Sequence, residues 1–402
     1  MTRWFPRLLL IAFAFQASAH AIRPMVSYRA IELGAGPLMI GVIASSYAVL
    51  SLAFAVPVGR WVDRWGEARF ILTGLALVTA TSLWLVWIDS LWALTVNQAA
   101  MGLGHIMTLL GCQTLIANAA PRGRRDAQIG VFMVLQSLGQ LAGPAAAGLL
   151  AGSALAATPR LSTGVGAAVV FACAAGVSFI GVLAALSLHW RPAGSGANVG
   201  TDGGTTRSRT MPAVWRVVRV PGMPPAMLAS LTVLTSIDIL AAYLPVYGEA
   251  NGLSVEVVGL LLAARAGASM ASRLLMIPLL AMLGRRRLLV VSMILPALAL
   301  AALPRLDLVS TLFVAMAVIG FGLGLGQPIT LSWVAGRAAP DVRGTAIGVR
   351  LSGNRLGQVV LPSAVGAIAG TAGLAAIFPS LAVLLLISAG FVISTSLDDD
   401  EG

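Results

Sequence analysis

The chain has no lysine; all 26 of its basic residues are arginine. Acidic residues number 15, histidines three and cysteines two in 402 positions. Cys112 and Cys173 both fall in apolar runs. This excludes a disulfide framework or thiolate metal site and reads as small packing residues. No HExxH, GxSxG or Walker sequence occurs, so the zinc-peptidase, serine-hydrolase and ATP-driven pump readings lose their chemistry. The chain is expected to be no enzyme and to carry no metal or cofactor. Charge itself is scarce: 10% of residues are charged against 58% hydrophobic, with a mean hydropathy of +0.91. No water-soluble core hides that much apolar surface, so the chain reads as an all-α polytopic membrane protein whose first partner is the lipid bilayer. The net charge of +11 would point to nucleic acid in a soluble protein, but these arginines sit in short polar segments between apolar runs. No nucleic-acid face is expected.

What is present is a series of apolar runs, each about long enough to cross a hydrocarbon core at ~1.5 Å per residue. The start, with Arg3, Arg7, the run Leu8 to Phe15 and Ala17-Ser18-Ala19, imitates a signal peptide. It continues through His20, Arg23 and Pro24 to about Ala30 and is read as an uncleaved first helix. Further spans fall at about Met39 to Val58, Phe70 to Ile88, Leu91 to Ala117, Gln128 to Gly152 and Gly164 to Leu188. Six more follow at Pro225 to Tyr247, Val255 to Leu283, Leu288 to Pro304, Leu308 to Ala335, Gly344 to Gly370 and Leu374 to Ser394, twelve in all. Eighteen loop and terminal arginines fall on one side and only Arg29, Arg160 and Arg305 on the other. Basic residues stay on the cytoplasmic side, so both termini are expected there. Missing lysine with abundant alanine and arginine suggests a GC-rich bacterial genome, hence a multi-pass protein of the cell inner membrane.

Residues 191–224 shift to Gly, Ser, Thr, Pro and Arg and read as a flexible cytoplasmic linker between a half at 1–190 and a half at 225–402. An internal repeat supports the division. A shift of 218 residues lays Gly130 on Gly348, Gly139 on Gly357, Gln140 on Gln358, Pro144 on Pro362 and Gly148 on Gly366. The same shift sets Gly41 on Gly259 and Gly66 on Gly284. The chain is therefore two copies of a six-helix unit related by a pseudo-two-fold axis.

Between the second and third runs stands Gly59 to Arg69, GRWVDRWGEAR, expected as a tight charged hairpin loop. Its Gly59, Asp63, Arg64, Gly66 and Arg69 resemble the loop 2-3 signature, G-x-x-x-D-R-x-G, of the major facilitator superfamily. Trp61, Glu67 and Ala68 depart from the family's usual residues. In the fifth run Gly130, Gly139, Gly143, Pro144 and Gly148 resemble a fifth-helix motif used chiefly in proton-linked efflux, with Ala147 replacing a glycine. Gln98 stands where the family's fourth helix carries an arginine. The resemblance implies a monomeric secondary transporter of a small molecule, working by alternating access and driven by a proton gradient. Asp63 would then act as a conformational latch, reaching the start of helix eleven near Gly344 or Arg64.

Ionised groups at the bilayer centre cost ~2.5 kcal/mol or more, so those present mark the candidate site. Asp238 is the one acid deep in a span; the basic set is Arg23, Arg265, Arg273, Arg350 and Arg355. None lies in runs three, six, nine or twelve, which the resemblance makes peripheral. His20, Asp238, Arg265 and Arg355 lie about midway along their helices, and the 218-residue shift maps His20 onto Asp238. Asp238 is the expected proton carrier, with His20 or an arginine responding to its charge. Arg265, Arg355, Arg350, Arg23 and Asn354 are the expected substrate contacts, because unpaired guanidinium groups offer planar sites for carboxylate or phosphate. The expected substrate is anionic or oxygen-rich: an organic acid, a siderophore or an acidic drug. Efflux is favoured by the fifth-helix motif, while uptake or exchange of an organic anion stays open through the buried arginines. A channel or a membrane-embedded enzyme is the remote alternative.

Overall fold

The computed structural model describes residues 4–121, 125–157, 163–188, 222–337 and 343–394. In hydrocarbon a segment must satisfy its own backbone donors and acceptors, and the apolar runs accordingly form helices. The first group comprises α1 (Trp4–Glu32), α2 (Pro37–Trp65), α3 (Glu67–Trp84), α4 (Leu91–Ala119), α5 (Arg125–Ala157) and α6 (Thr163–Leu186). The second comprises α7 (Met223–Ala250), α8 (Val255–Leu274), α9 (Met276–Ala302), α10 (Val309–Arg337), α11 (Arg343–Ala372) and α12 (Ile377–Ser394). Eleven of these are long and apolar enough to cross a membrane; α11, with Arg350, Asn354 and Arg355, is not among them. No strand occurs among the described residues. Most of the expected linker, residues 191–221, lies outside the described residues.

Two boundaries differ from the sequence expectation. The segment Gly59 to Arg69 is not a loop, because α2 runs on through Asp63 to Trp65 and only Gly66, at φ +89°, separates it from α3. Nothing between Arg60 and Trp65 breaks a helix, whereas Gly66 takes a backbone conformation that side-chain-bearing residues rarely adopt. In the second group the helix expected to reach Leu283 stops at Leu274. Pro278 has no N–H for the Leu274 carbonyl, so the chain bends at Leu275 before α9, which is itself broken at Gly284.

Helices α1 to α6 pack chiefly among themselves, as do α7 to α12, and the groups meet along α2–α11, α5–α8 and α1–α7. Their contacts recur at the 218-residue shift. Glycines at positive φ come as Gly34 with Gly252 and Gly66 with Gly284. Gly102 lies on the Tyr47 carbonyl, and Gly320 lies on that of Arg265. Gly139 faces Phe13 and Ala17 of α1, and Gly357 faces Leu231 and Thr235 of α7. Across the groups, Gly259 meets the Pro144 carbonyl as Gly41 meets that of Pro362. Each of these partner positions maps onto its counterpart under the same shift, so the repeat is a repeat of contacts as well as of residues.

The two ends of the molecule differ. Where the α1–α2 and α7–α8 turns lie, α5 touches α8 through Gly148 and Gly259, and α11 touches α2 through Gly366 and Pro37. Fully buried Tyr243 of α7 closes this end, its hydroxyl 2.9 Å from the Pro37 carbonyl and 3.0 Å from that of Pro362. At the opposite end a methyl group added to Gly59, Gly130 or Gly348 would meet none of the described residues within 4 Å. The bundle is sealed at the first end, while at the second these three glycines stand parted from any described residue.

This contrast fixes two expectations for purified protein in detergent. Gly102→Ala and Gly320→Ala force a methyl into a backbone carbonyl and should each cost about 1–3 kcal/mol, read as a lower thermal unfolding midpoint. Gly130→Ala and Gly348→Ala, facing open space, should leave that midpoint unchanged or raise it slightly. Tyr243→Phe should cost about 1 kcal/mol in the same assay, and an unaltered midpoint would show that the hydroxyl contributes nothing to the seal.

Candidate functional site

The first helices of the two groups carry the central pair. Arg23 of α1 donates from Nη1 to Asp238 Oδ1 of α7 at 2.5 Å. The second carboxylate oxygen of Asp238 accepts a short hydrogen bond from the Gln358 side-chain amide on α11. Arg355, one turn earlier, donates to Gln358 Oε1 at 3.0 Å. Arg23 also lies over the Tyr47 ring, 4.6 Å from its centroid, a cation–π contact from α2. Helices α1, α7 and α11 thus meet at one carboxylate, and α2 supports it through the Arg23 guanidinium. The side chains of Arg23 and Asp238 keep 18% and 17% of their exposure, so the pair is reached by solvent rather than sealed in the core.

Beside the pair, toward the sealed end, lies a cavity of about 40 Å³ that Arg23, Tyr47, Gln98, Asp238 and Gln358 border together with small apolar side chains. That is room for two or three waters at most, and too little for an organic molecule. A larger ligand therefore needs more room than this cavity gives, from another side of the pair or after the helices have moved.

The structure distributes the remaining candidates unevenly. Arg265 of α8 is 4% exposed, and its Nε is buried without a hydrogen-bond partner among the described residues. It feels the charges of Asp238, Arg273 and Arg23, but no carboxylate among the described residues pairs with it. Arg350 is instead held by neutral acceptors on α10: the Gln327 carbonyl at 3.0 Å, Gln327 Oε1 at 2.8 Å and Thr330 Oγ1 at 3.0 Å. Gln327 in turn donates to the Ser230 carbonyl at 2.6 Å, and Asn354 reaches Gln327 at 3.5 Å. Arg350 and Asn354 therefore form a network among α7, α10 and α11, separate from the Asp238 cluster. Arg273 bridges α8 to Ser137 of α5 at 3.0 Å.

His20 bonds within its own helix, Nδ1 donating to the Gln16 carbonyl at 3.0 Å, and makes no hydrogen bond to Asp238. Arg23 takes the position beside Asp238 that the sequence offered to either His20 or an arginine. His105 packs edge-on against Phe15 and Tyr47. In the signature stretch Arg64 is exposed, while the Asp63 side chain and the start of α11 at Gly344 lie outside the described side chains, and the expected latch lies there with them. In α5, Gly139 and Gly143 seat the backbone of α1 and Gly148 that of α8, so the motif is the surface on which α5 meets both groups.

Sequence reasoning misses Tyr47, although a signal exists: it is one of only four tyrosines, and the repeat maps it onto Arg265. Gln327 and Thr330 give no such signal, because a polar residue in an apolar run does not reveal which helix it faces.

Comparison with known proteins agrees with this architecture. A multidrug resistance-named protein, MdtD of Escherichia coli strain 536, is 29% identical over 153 residues, 37% of this chain and 32% of its own length. MdtD of Klebsiella pneumoniae strain 342 is 28% identical over 152 residues, again 32% of that protein, so the match spans about a third of these relatives. Among solved structures, the nucleoside transporter NupG superposes with a TM-score of 0.75 at 15% identity, covering 98% of both chains. A bacterial homolog of the human lysosomal transporter Spinster, inward-facing and occupied, gives 0.73 at 17% identity over 97% of this chain and 95% of its own. These structures share the fold. The profile described as Major Facilitator Superfamily matches residues 8–254 and 226–401, nearly the whole chain, and the protein belongs to that superfamily of membrane transporters.

Proposed function

We propose that the protein is a proton-coupled secondary transporter that works by alternating access and exports a small oxygen-rich organic compound, with Asp238 carrying the proton. The observation that carries this reading is the Arg23–Asp238 pair between the first helices of both groups, its carboxylate bonded by Gln358 of α11 and its guanidinium set over Tyr47 of α2. Neutralising that carboxylate removes the attraction that holds α1 to α7 at mid-depth, which links protonation to the relative position of the groups. The reading includes twelve spans in an inner membrane, with α11 crossing as a polar, protein-surrounded helix, and halves at 1–190 and 225–402 joined by a linker. Cytoplasmic termini would make the sealed end external and the parted end cytoplasmic. The protein would act as a monomer without a cofactor. The fifth-helix motif and relatives named for multidrug resistance favour export.

A second reading, uptake or exchange of an organic anion, is favoured by Arg265. Its guanidinium is buried without a counter-ion among the described residues, an arrangement that an incoming carboxylate or phosphate would complete. The two directions make opposite demands on linkage. Export driven by inward protons requires the compound and the proton to take turns at Asp238. An anion that drew Arg23 away would leave Asp238 without its cation, so anion and proton would load together, as import with protons requires.

Inside-out vesicles with an imposed proton gradient test both. Labelled organic acids, siderophores and dyes should include one that accumulates with the gradient, and Asp238→Asn should abolish that accumulation while leaving counterflow intact. Accumulation that survives unchanged in Asp238→Asn removes the proton role. Arg265→Gln should weaken binding of an anionic substrate about tenfold or more, the loss of one hydrogen bond to a charged group, with a smaller effect on a neutral one. Accumulation only in exchange for a preloaded anion would establish the second reading.

A further inference from the structure

The last turns of α2 carry Trp61 and Trp65, four residues apart on one face, where the family signature has no use for them. Their rings stack with centroids 6.0 Å apart and planes 16° from parallel. The stack crosses the Gly66 turn: Trp65 lies on Phe70 of α3 at 6.3 Å and 9°. Phe54 extends it on the other side, 6.5 Å from Trp61. Trp65 keeps 47% of its surface exposed, Trp61 38% and Phe54 37%. Four rings thus form one continuous aromatic wall, three of them facing outward.

The wall borders a groove of about 420 Å³, floored by Val58 of α2 and by Leu103 and Met107 of α4. Val58 and Phe70 are buried together with Val62, and Leu103 and Met107 pack against them, so much of the groove's lining belongs to a small core. Its lining is apolar apart from Thr73 and Arg69, which suits a hydrocarbon chain and not a water-soluble ligand. Arg60, Arg64 and Arg69, all reached by solvent, belong to the same segment. The acid at the start of α3, Glu67, is engaged on another side by Asn118 at 2.8 Å. An aromatic belt alone anchors a helix at the interface. Here the rings instead form one side of a groove that Arg69 lines, on a segment carrying three arginines against two acids, Asp63 and Glu67.

We propose that this groove is a binding site for an anionic phospholipid. One acyl chain lies along the Phe54–Trp61–Trp65 wall, and Arg60, Arg64 and Arg69 hold the headgroup phosphate, for which guanidinium groups have the matching geometry. Because the wall spans both sides of Gly66, a bound lipid would hold the end of α2 and the start of α3 together. The site is distinct from the Asp238 cluster and does not depend on which compound is transported.

The test uses the full-length protein in phosphatidylcholine nanodiscs, titrated with phosphatidylglycerol or phosphatidylcholine brominated on the acyl chains, with tryptophan fluorescence as the readout. Brominated phosphatidylglycerol should give a saturable quenching component whose midpoint lies about fivefold or more below that of brominated phosphatidylcholine. The triple variant Arg60→Gln, Arg64→Gln, Arg69→Gln should lose that preference, and the corresponding Arg→Lys variant should keep much of it. Trp61→Phe with Trp65→Phe should remove the saturable component and leave the unselective quenching of the remaining tryptophans. Equal quenching by the two lipids overturns the proposal, as does a preference that persists in the glutamine variant. If the glutamine variant cannot be reconstituted, the tryptophan pair decides: a saturable component that survives loss of both rings overturns the site.

Discussion

Helices surrounded by lipid gain nothing by hiding apolar surface from one another, because the hydrocarbon around them is as apolar as their side chains. What holds such a bundle is close contact and the few polar bonds that cross it. In this chain close contact depends on glycine at fixed positions. Gly102 and Gly320 admit a neighbouring carbonyl where a methyl group would collide, and Gly41 and Gly259 do the same between the two groups. The helix order, the sealed end and the depth of the polar cluster all follow from where these backbones can touch. Tyr243, inserted between α2 and α11, adds a polar fastening to a seam that small residues had already made narrow.

The seams are legible in the sequence because glycine and proline declare themselves by position. Gly139, Pro144 and Gly148 have counterparts 218 residues on, and the same shift relates their contacts. The Asp238 cluster is half legible. A lone acid in a span is conspicuous, but which of five arginines it meets depends on helix rotation, and a one-dimensional repeat says little about that. The shift matches Asp238 with His20, yet Arg23, one turn further along α1, makes the contact. Position in a repeat predicts equivalent location, not mutual contact. The helix boundaries mislead where polarity is taken for a turn: Arg60, Asp63 and Arg64 are hydrophilic, but nothing in their backbone preferences ends a helix before Gly66.

The two groups are alike in backbone and unlike in chemistry. Buried guanidinium groups gather in the second, as Arg265 and Arg350, while the first supplies Arg23 and the aromatic support of Tyr47. Neutral acceptors spread the charge of Arg350, a carboxylate meets that of Arg23, and nothing described answers that of Arg265. Three cations within one bundle thus stand in three electrostatic conditions: ion-paired, held by neutral acceptors, and influenced by Asp238 without a described ion pair.

The bend at Leu275 has a mechanical meaning. In the first group α2 stays helical from Pro37, at the sealed end, to Trp65, at the parted end, with Pro57 inside it leaving the Ala53 carbonyl without its helical N–H partner. Its counterpart in the second group is jointed, because Pro278 divides it into α8 and the first turns of α9. A continuous rod delivers displacement at one tip to the other, and a hinged one absorbs part of it. Two copies of one unit have thus kept one helix continuous through its proline and interrupted the other.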